Sequence, residues 1–176
     1  MESRMGKVAK LSLVSISVFV IAMAGAVAFV PPKKALSAAI MRNCIGVIKD
    51  KLRGIGPVEF VSVAAIQPDP NKRKLEDFGT ATQALIKRGQ LEPSEPQVLV
   101  EFETDRGAGN ALCTYQADLS KGSGTYSMVR MRDVQIGAQA LSSVEVVLIK
   151  SFGVGYFDRA MSLIPIIGTK QKFFLD

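Results

Sequence analysis

Cys44 and Cys113 are the residues of this 176-residue chain whose type and number most directly suggest chemistry. An even cysteine count allows one disulfide, and the C-x-x-C spacing of redox enzymes does not occur. Two free, buried thiols in a reducing compartment are the alternative. If the two cysteines are joined, closing a loop of roughly 70 residues contributes roughly 4 kcal/mol to stability on the chain-entropy model.

Other groups that could act as catalysts are few. The chain has no His, which excludes a Ser-His-Asp triad, a Cys-His dyad and an ordinary zinc centre. Glu101 and Glu103 are two apart on a predicted strand and therefore share its exposed face, whereas acid–base catalysis needs a carboxyl group in an apolar pocket. Neither D-x-D-x-D nor H-E-x-x-H occurs. We expect no catalytic or metal-binding residues, no cofactor and no small-molecule substrate, and so no enzyme.

The net charge of +6 is unevenly distributed. Residues 1–34 hold five basic residues and one acidic residue, and residues 35–176 hold 17 basic and 15 acidic ones. A nucleic-acid-binding domain would concentrate basic and aromatic residues on one surface. The nearly balanced charge of residues 35–176 argues against a nucleic-acid partner.

The N-terminal region contains an uncharged apolar stretch of 20 residues at 11–30. A helix of that length spans about 30 Å, the thickness of the hydrocarbon core of a bilayer. It predicts a single transmembrane helix, a signal anchor that contacts membrane lipid. A signal peptide cleaved after Ala28 is the alternative, because Ala26-Val27-Ala28 fits an A-x-A site.

Equal numbers of basic residues flank this stretch, so the positive-inside rule does not decide its orientation in the membrane. Lys33 and Lys34, which follow two prolines, are expected at the headgroup level of the membrane interface. The free α-amino group and the cysteine pair favour a cytoplasmic N-terminus. We therefore expect a single-pass protein of the bacterial inner membrane with its C-terminal domain in the periplasm.

The domain at 35–176 is predicted to begin with an amphipathic helix over 35–52. Its apolar residues recur every four positions: Leu36, Ile40, Cys44, Ile48 and Leu52. A strand rich in β-branched residues is predicted at 57–66. A charged, proline-rich excursion over 68–96 then contains one short helix or strand near 80–87.

A hairpin follows the excursion. The segments 97–104 and 110–118 alternate apolar and polar residues, and 105–110 (DRGAGN) is predicted to be the turn between them. Cys113 is expected on the inward face beside Phe102, where the helix would bring Cys44. A further strand is predicted at 125–136.

The C-terminal part is predicted to be helical. Ser142 and Glu145 form an S-x-x-E capping box that begins a helix ending near Ser151. A second short helix ends before Pro165, and its Asp158 and Arg159 are expected to form a surface pair. Apolar side chains in the tail are expected to dock on the domain, a partner or the membrane: Ile166, Ile167, Phe173 and Phe174.

The predicted fold class is α+β: an antiparallel meander of three to four strands packed on the amphipathic helix, with helices at the C-terminus. Over roughly 40–150 the chain resembles small exported or membrane-anchored bacterial domains of unknown function. The resemblance lies in these residues: Cys44, the V-x-V-x-F of 98–102, the Gly/Asn turn at 107–110 followed by Cys113-Thr114-Tyr115, and Val134-Gln135-Ile136-Gly137. It implies a compartment and a fold.

These observations favour an accessory or structural subunit that is anchored by one membrane span and acts through protein–protein interaction in a larger membrane complex. A cleaved, soluble periplasmic binding module is the alternative. The intact mass of the mature chain distinguishes the two.

Overall fold

The computed structural model describes residues 29–66, 75–166 and 168–172, and within these ranges it is a mixed α+β structure. The α-helices are α1 (Pro32–Leu52), α2 (Thr80–Lys87), α3 (Ser143–Leu148) and α4 (Tyr156–Met161). The strands are β1 (Val58–Ile66), β2 (Leu91–Ser94), β3 (Gln97–Thr104), β4 (Gly107–Ser120), β5 (Thr125–Ile136), β6 (Gln139–Ala140), β7 (Phe152–Val154) and β8 (Lys170–Lys172).

Most of the predicted span at 11–30 lies outside the described residues, as do Ile167, Phe173 and Phe174. Among the helices of the described ranges, none combines the length and the apolar character needed to cross a bilayer.

The eight strands form one sheet, in which six strands follow the order β6-β5-β4-β3-β1-β8 and β2 and β7 lie outside this order. The predicted antiparallel meander is confirmed as β3, β4 and β5, with β1 antiparallel to β3. The expected number of strands was too low. β2 pairs with the C-terminal end of β4, beyond the residues of β4 that pair with β3. β6 and β7 pair with the two ends of β5, and β8 is parallel to β1.

The turn between β3 and β4 is shorter than the sequence analysis predicted. Thr104 pairs with Gly107, which leaves only Asp105 and Arg106 between the strands. Gly107 has φ +113°, a conformation that glycine adopts without a steric penalty. The glycines expected in the turn instead lie within β4, and Gly109 leaves room for the Phe102 ring on the facing strand.

Helix α1 covers the inner face of the sheet. It starts three residues before the predicted boundary, because Pro32 occupies the first helical position, where proline's missing N–H costs nothing. The predicted stripe of apolar residues, from Leu36 to Leu52, is buried, as are the inward residues of β3, β4 and β5. The core therefore lies between one helix and one sheet face.

Candidate functional site

Cys44 and Cys113 form the predicted disulfide. The S–S distance is 2.01 Å and the Cα–Cα distance is 6.0 Å, within the usual range for a disulfide. Both residues are fully buried, so the bond joins the middle of α1 to the centre of the sheet. A disulfide of this kind is consistent with an extracytoplasmic protein.

The position of Cys113 in the sheet differs from the expected one. It pairs with Val98 on β3 and Val134 on β5, whereas Phe102 pairs with Gly109. The shorter turn accounts for the difference, because it sets which β3 residue faces each residue of β4.

A buried tyrosine lies two residues beyond the disulfide and links the same two elements. The Tyr115 hydroxyl donates towards the Ile40 carbonyl oxygen at 3.1 Å and lies 2.9 Å from Asn43 Oδ1. Burial raises the pKa of this phenol well above its usual value. The hydroxyl therefore stays protonated and serves as a hydrogen-bonding link between sheet and helix.

Glu101 and Glu103 are exposed on the outer face of β3, as the alternation predicted. Glu101 accepts a hydrogen bond from the Ser62 hydroxyl at 2.5 Å. Across the residues described, no group of three His, Cys, Asp or Glu side chains could hold a metal ion together.

The predicted capping box at the start of α3 is present. Ser142 Oγ accepts from the Glu145 backbone N–H at 3.4 Å, and the Ser142 N–H donates to Glu145 Oε2 at 2.9 Å. Lys51, in the last turn of α1, lies 2.7 Å from Glu145 Oε1. The hydrogen bonds from Lys51 and Ser142 lower the pKa of Glu145 from 4.5 to about 2, so α3 is held to the C-terminal end of α1 by a carboxylate.

Helix α3 carries an apolar surface on its solvent side. Val144, Val147 and Leu148 are each at least 70% exposed. Their spacing (i, i+3, i+4) places them on one face of the helix, which we call the α3 face. Val146 packs into the core from the opposite side. Single exposed apolar residues are common on protein surfaces, whereas large contiguous apolar patches are typical of interaction sites.

Helix α4 is attached to the domain by a buried cation rather than by the predicted surface pair. The Arg159 guanidinium donates to the Gly124 carbonyl oxygen at 2.7 Å, and its Cζ lies 4.7 Å from the centroid of the Tyr156 ring. Asp158 accepts from the Gly155 N–H at 2.8 Å instead of pairing with Arg159. Sequence spacing alone could not show that the hydrogen-bond acceptor for Arg159 is the carbonyl oxygen of Gly124, which lies in a turn 35 residues earlier in the chain.

A second arginine binds the C-terminal end of α4. Arg42, on α1, donates to the carbonyl oxygens of Met161 and Ile164, where a cation also complements the helix dipole. An open cleft of about 520 Å³ lies beside this contact, between α1, α4 and the segment at 150–152. Phe157 lines the cleft and is mostly exposed.

Of the residues predicted to contact membrane and partners, the structure describes Lys33, Lys34 and Ile166. Lys33 and Lys34 lie in the first turn of α1 and are partly buried. Ile166 is also partly buried. It packs against the core of the domain rather than projecting towards a partner or the membrane. The α3 face was not singled out from the sequence, because a capped helix of six residues does not reveal which side is covered.

Comparison with models of known protein families, with curated proteins and with solved structures gives no match to this chain.

Proposed function

We propose that the protein is a single-pass, membrane-anchored, extracytoplasmic accessory subunit that binds a protein partner within a larger membrane complex. The α3 face is the observation that carries this proposal. Three neighbouring aliphatic side chains exposed to water favour association with a protein surface that removes them from it.

Two further features support this role. The 20-residue apolar stretch at 11–30 is long enough to anchor the chain in a bilayer. The disulfide joins α1 to the sheet and is consistent with an extracytoplasmic location. The Lys51–Glu145 ion pair joins α3 to α1. The α3 face is thus presented on a well-supported element.

The test is native electrophoresis of detergent-solubilised membranes, with mass spectrometry of the bands that contain the chain. A triple variant (Val144→Thr, Val147→Thr, Leu148→Gln) should move from a large complex to the position of the free chain. A matched variant changes three exposed apolar residues outside α3 (Val61→Thr, Ile66→Thr, Met128→Gln) and should stay in the complex. Wild-type protein that runs alone and monodisperse would overturn the proposal.

The intact mass of the chain isolated from cells tests the anchor separately. The full mass is expected for a signal anchor. Loss of about 28 residues would instead identify a cleaved, soluble module.

A further inference from the structure

The end of the domain that holds the first turn of α1 is close to the proposed membrane span. The apolar stretch ends at residue 30 and α1 begins at Pro32, so one residue separates them. Two peptide steps reach at most about 7 Å, which is similar to the thickness of one headgroup layer. A domain connected in this way must lie directly on the bilayer.

The two residues at this junction have opposite environments. Phe29 is 87% exposed, whereas Val30 is only 6% exposed. Within the described residues, Val30 therefore packs into the folded domain, whereas the aromatic side chain of the preceding residue is left exposed. An exposed aromatic ring at the end of a span is typical of the interfacial layer of a membrane.

A second exposed aromatic residue lies at the same end of α1. A Cβ atom placed on Gly124 would be 3.1 Å from Arg159 Nη2 and 3.7 Å from Pro32 Cγ, so all three residues meet at this turn. The Arg159 guanidinium stacks on Tyr156, whose side chain is 62% exposed. The arginine thereby positions the tyrosine ring beside the start of α1.

We propose that Tyr156 and the turn at 120–124 rest in the phospholipid headgroup layer of the bilayer that holds the N-terminal span, and that this contact sets the orientation of the domain on the membrane. The inference depends on the proposed anchor. Tyrosine suits this layer because its ring is apolar and its hydroxyl can remain hydrated. Lys121 in the same turn is exposed, and its ion pair with Glu92 is also at the surface.

This orientation places the α3 face away from the membrane. Lys51, which holds α3, is 19 residues beyond Pro32 on the same helix, a distance of about 28 Å along the helix axis. The membrane contact and the partner contact therefore lie near opposite ends of α1.

Because the chain contains no Trp, single-tryptophan variants report the depth of one position each. The experiment uses the full chain in phosphatidylcholine vesicles whose acyl chains are brominated near the headgroup, and bromine quenches nearby tryptophan. Phe29→Trp reports on the anchor, Tyr156→Trp and Lys121→Trp report on the proposed contact, and Val147→Trp on the α3 face is the matched control.

We expect brominated lipid to cause loss of emission in Phe29→Trp, Tyr156→Trp and Lys121→Trp, and no loss in Val147→Trp. The two contact reporters keep the test valid if one of them does not fold. Quenching of Phe29→Trp without quenching of the contact reporters would overturn this inference and leave the anchor intact. Equal quenching of Val147→Trp would also overturn it, because the domain would then lie on its side. A chain that does not enter vesicles at all would overturn the proposed anchor itself.

Discussion

The core around the disulfide and helix α3 contain the same kinds of aliphatic residue. The core buries them, whereas α3 leaves most of them exposed to solvent. Around the disulfide, Val98 and Val134 are fully buried between α1 and the sheet. In α3, Val146 is 6% exposed while its neighbour Val147 is 80% exposed. The comparison shows that apolar character alone does not indicate whether the folded chain buries a side chain or leaves it exposed.

The physical reason is the amount of structure that each region can pack against. Helix α1 has 21 residues and lies across several strands, so its apolar stripe is covered along its whole length. Helix α3 has six residues and contacts the edge of the sheet only on one side. Its capping box and the Lys51 ion pair fix its position without covering its outer side.

Removal of the disulfide is expected to have the largest effect on the core. A Cys44→Ala/Cys113→Ala double variant should lose roughly 4 kcal/mol of unfolding free energy, because the unfolded chain is no longer constrained by a cross-link across about 70 residues. Denaturant unfolding of the two proteins measures the difference.

Wild-type protein unfolded in the presence of a reductant is the matched control and should show a loss of similar size. Association with the partner complex should survive at temperatures at which the double variant remains folded. Unchanged stability in both samples would show that the cross-link does not support the core.

The adjacent valines of α3 provide the most direct test of the comparison. Val146→Thr should cost about 1–3 kcal/mol, because it buries a hydroxyl group among apolar side chains. Val147→Thr should change stability by no more than about 0.5 kcal/mol, because the site is exposed. Thermal or denaturant unfolding distinguishes the two variants, which differ only in position. Equal costs would mean that α3 does not have a buried and an exposed side.

The smallest expected effect concerns the attachment of α3 to α1. In the folded protein the pKa of Glu145 is lowered to about 2, so its stabilising contribution is present above the unfolded pKa near 4.5 and is lost as the pH falls towards 2. The stability of wild type relative to Glu145→Gln should therefore fall over that pH range. Unfolding measured at several pH values checks this.

High salt should reduce the same difference at neutral pH, because the Lys51–Glu145 pair is exposed and its attraction is screened. A difference that is unchanged by both acid and salt would exclude a role for the ion pair.

Much of the fold could be predicted because local patterns agree with the tertiary structure. Alternation placed β3 and β4 within a few residues of their observed bounds, β-branched residues placed β1, and the four-residue spacing placed α1. The turn that follows β4 placed β5. Strands β2, β6, β7 and β8 have only two to four residues. Segments this short show no clear alternation, and their pairing depends on strands distant in sequence.

The candidate surfaces were predictable only in part. The capping box identified where α3 begins, because its two side chains act within one helical turn. The roles of Arg42 and Arg159 depend on carbonyl groups more than 30 residues away, which no local spacing reveals.

The amino-acid sequence alone indicated the mixed α+β class and the main meander, because side-chain periodicity follows from backbone geometry. It also limited any disulfide to one pairing, because the chain has only two cysteines. It also contained the apolar stretch that predicts the anchor. Only the tertiary structure decided that Tyr156 lies beside the start of α1 and that the α3 face points outward. Both depend on which surfaces remain uncovered after α1 and the sheet have packed together, and this is a property of the whole folded chain.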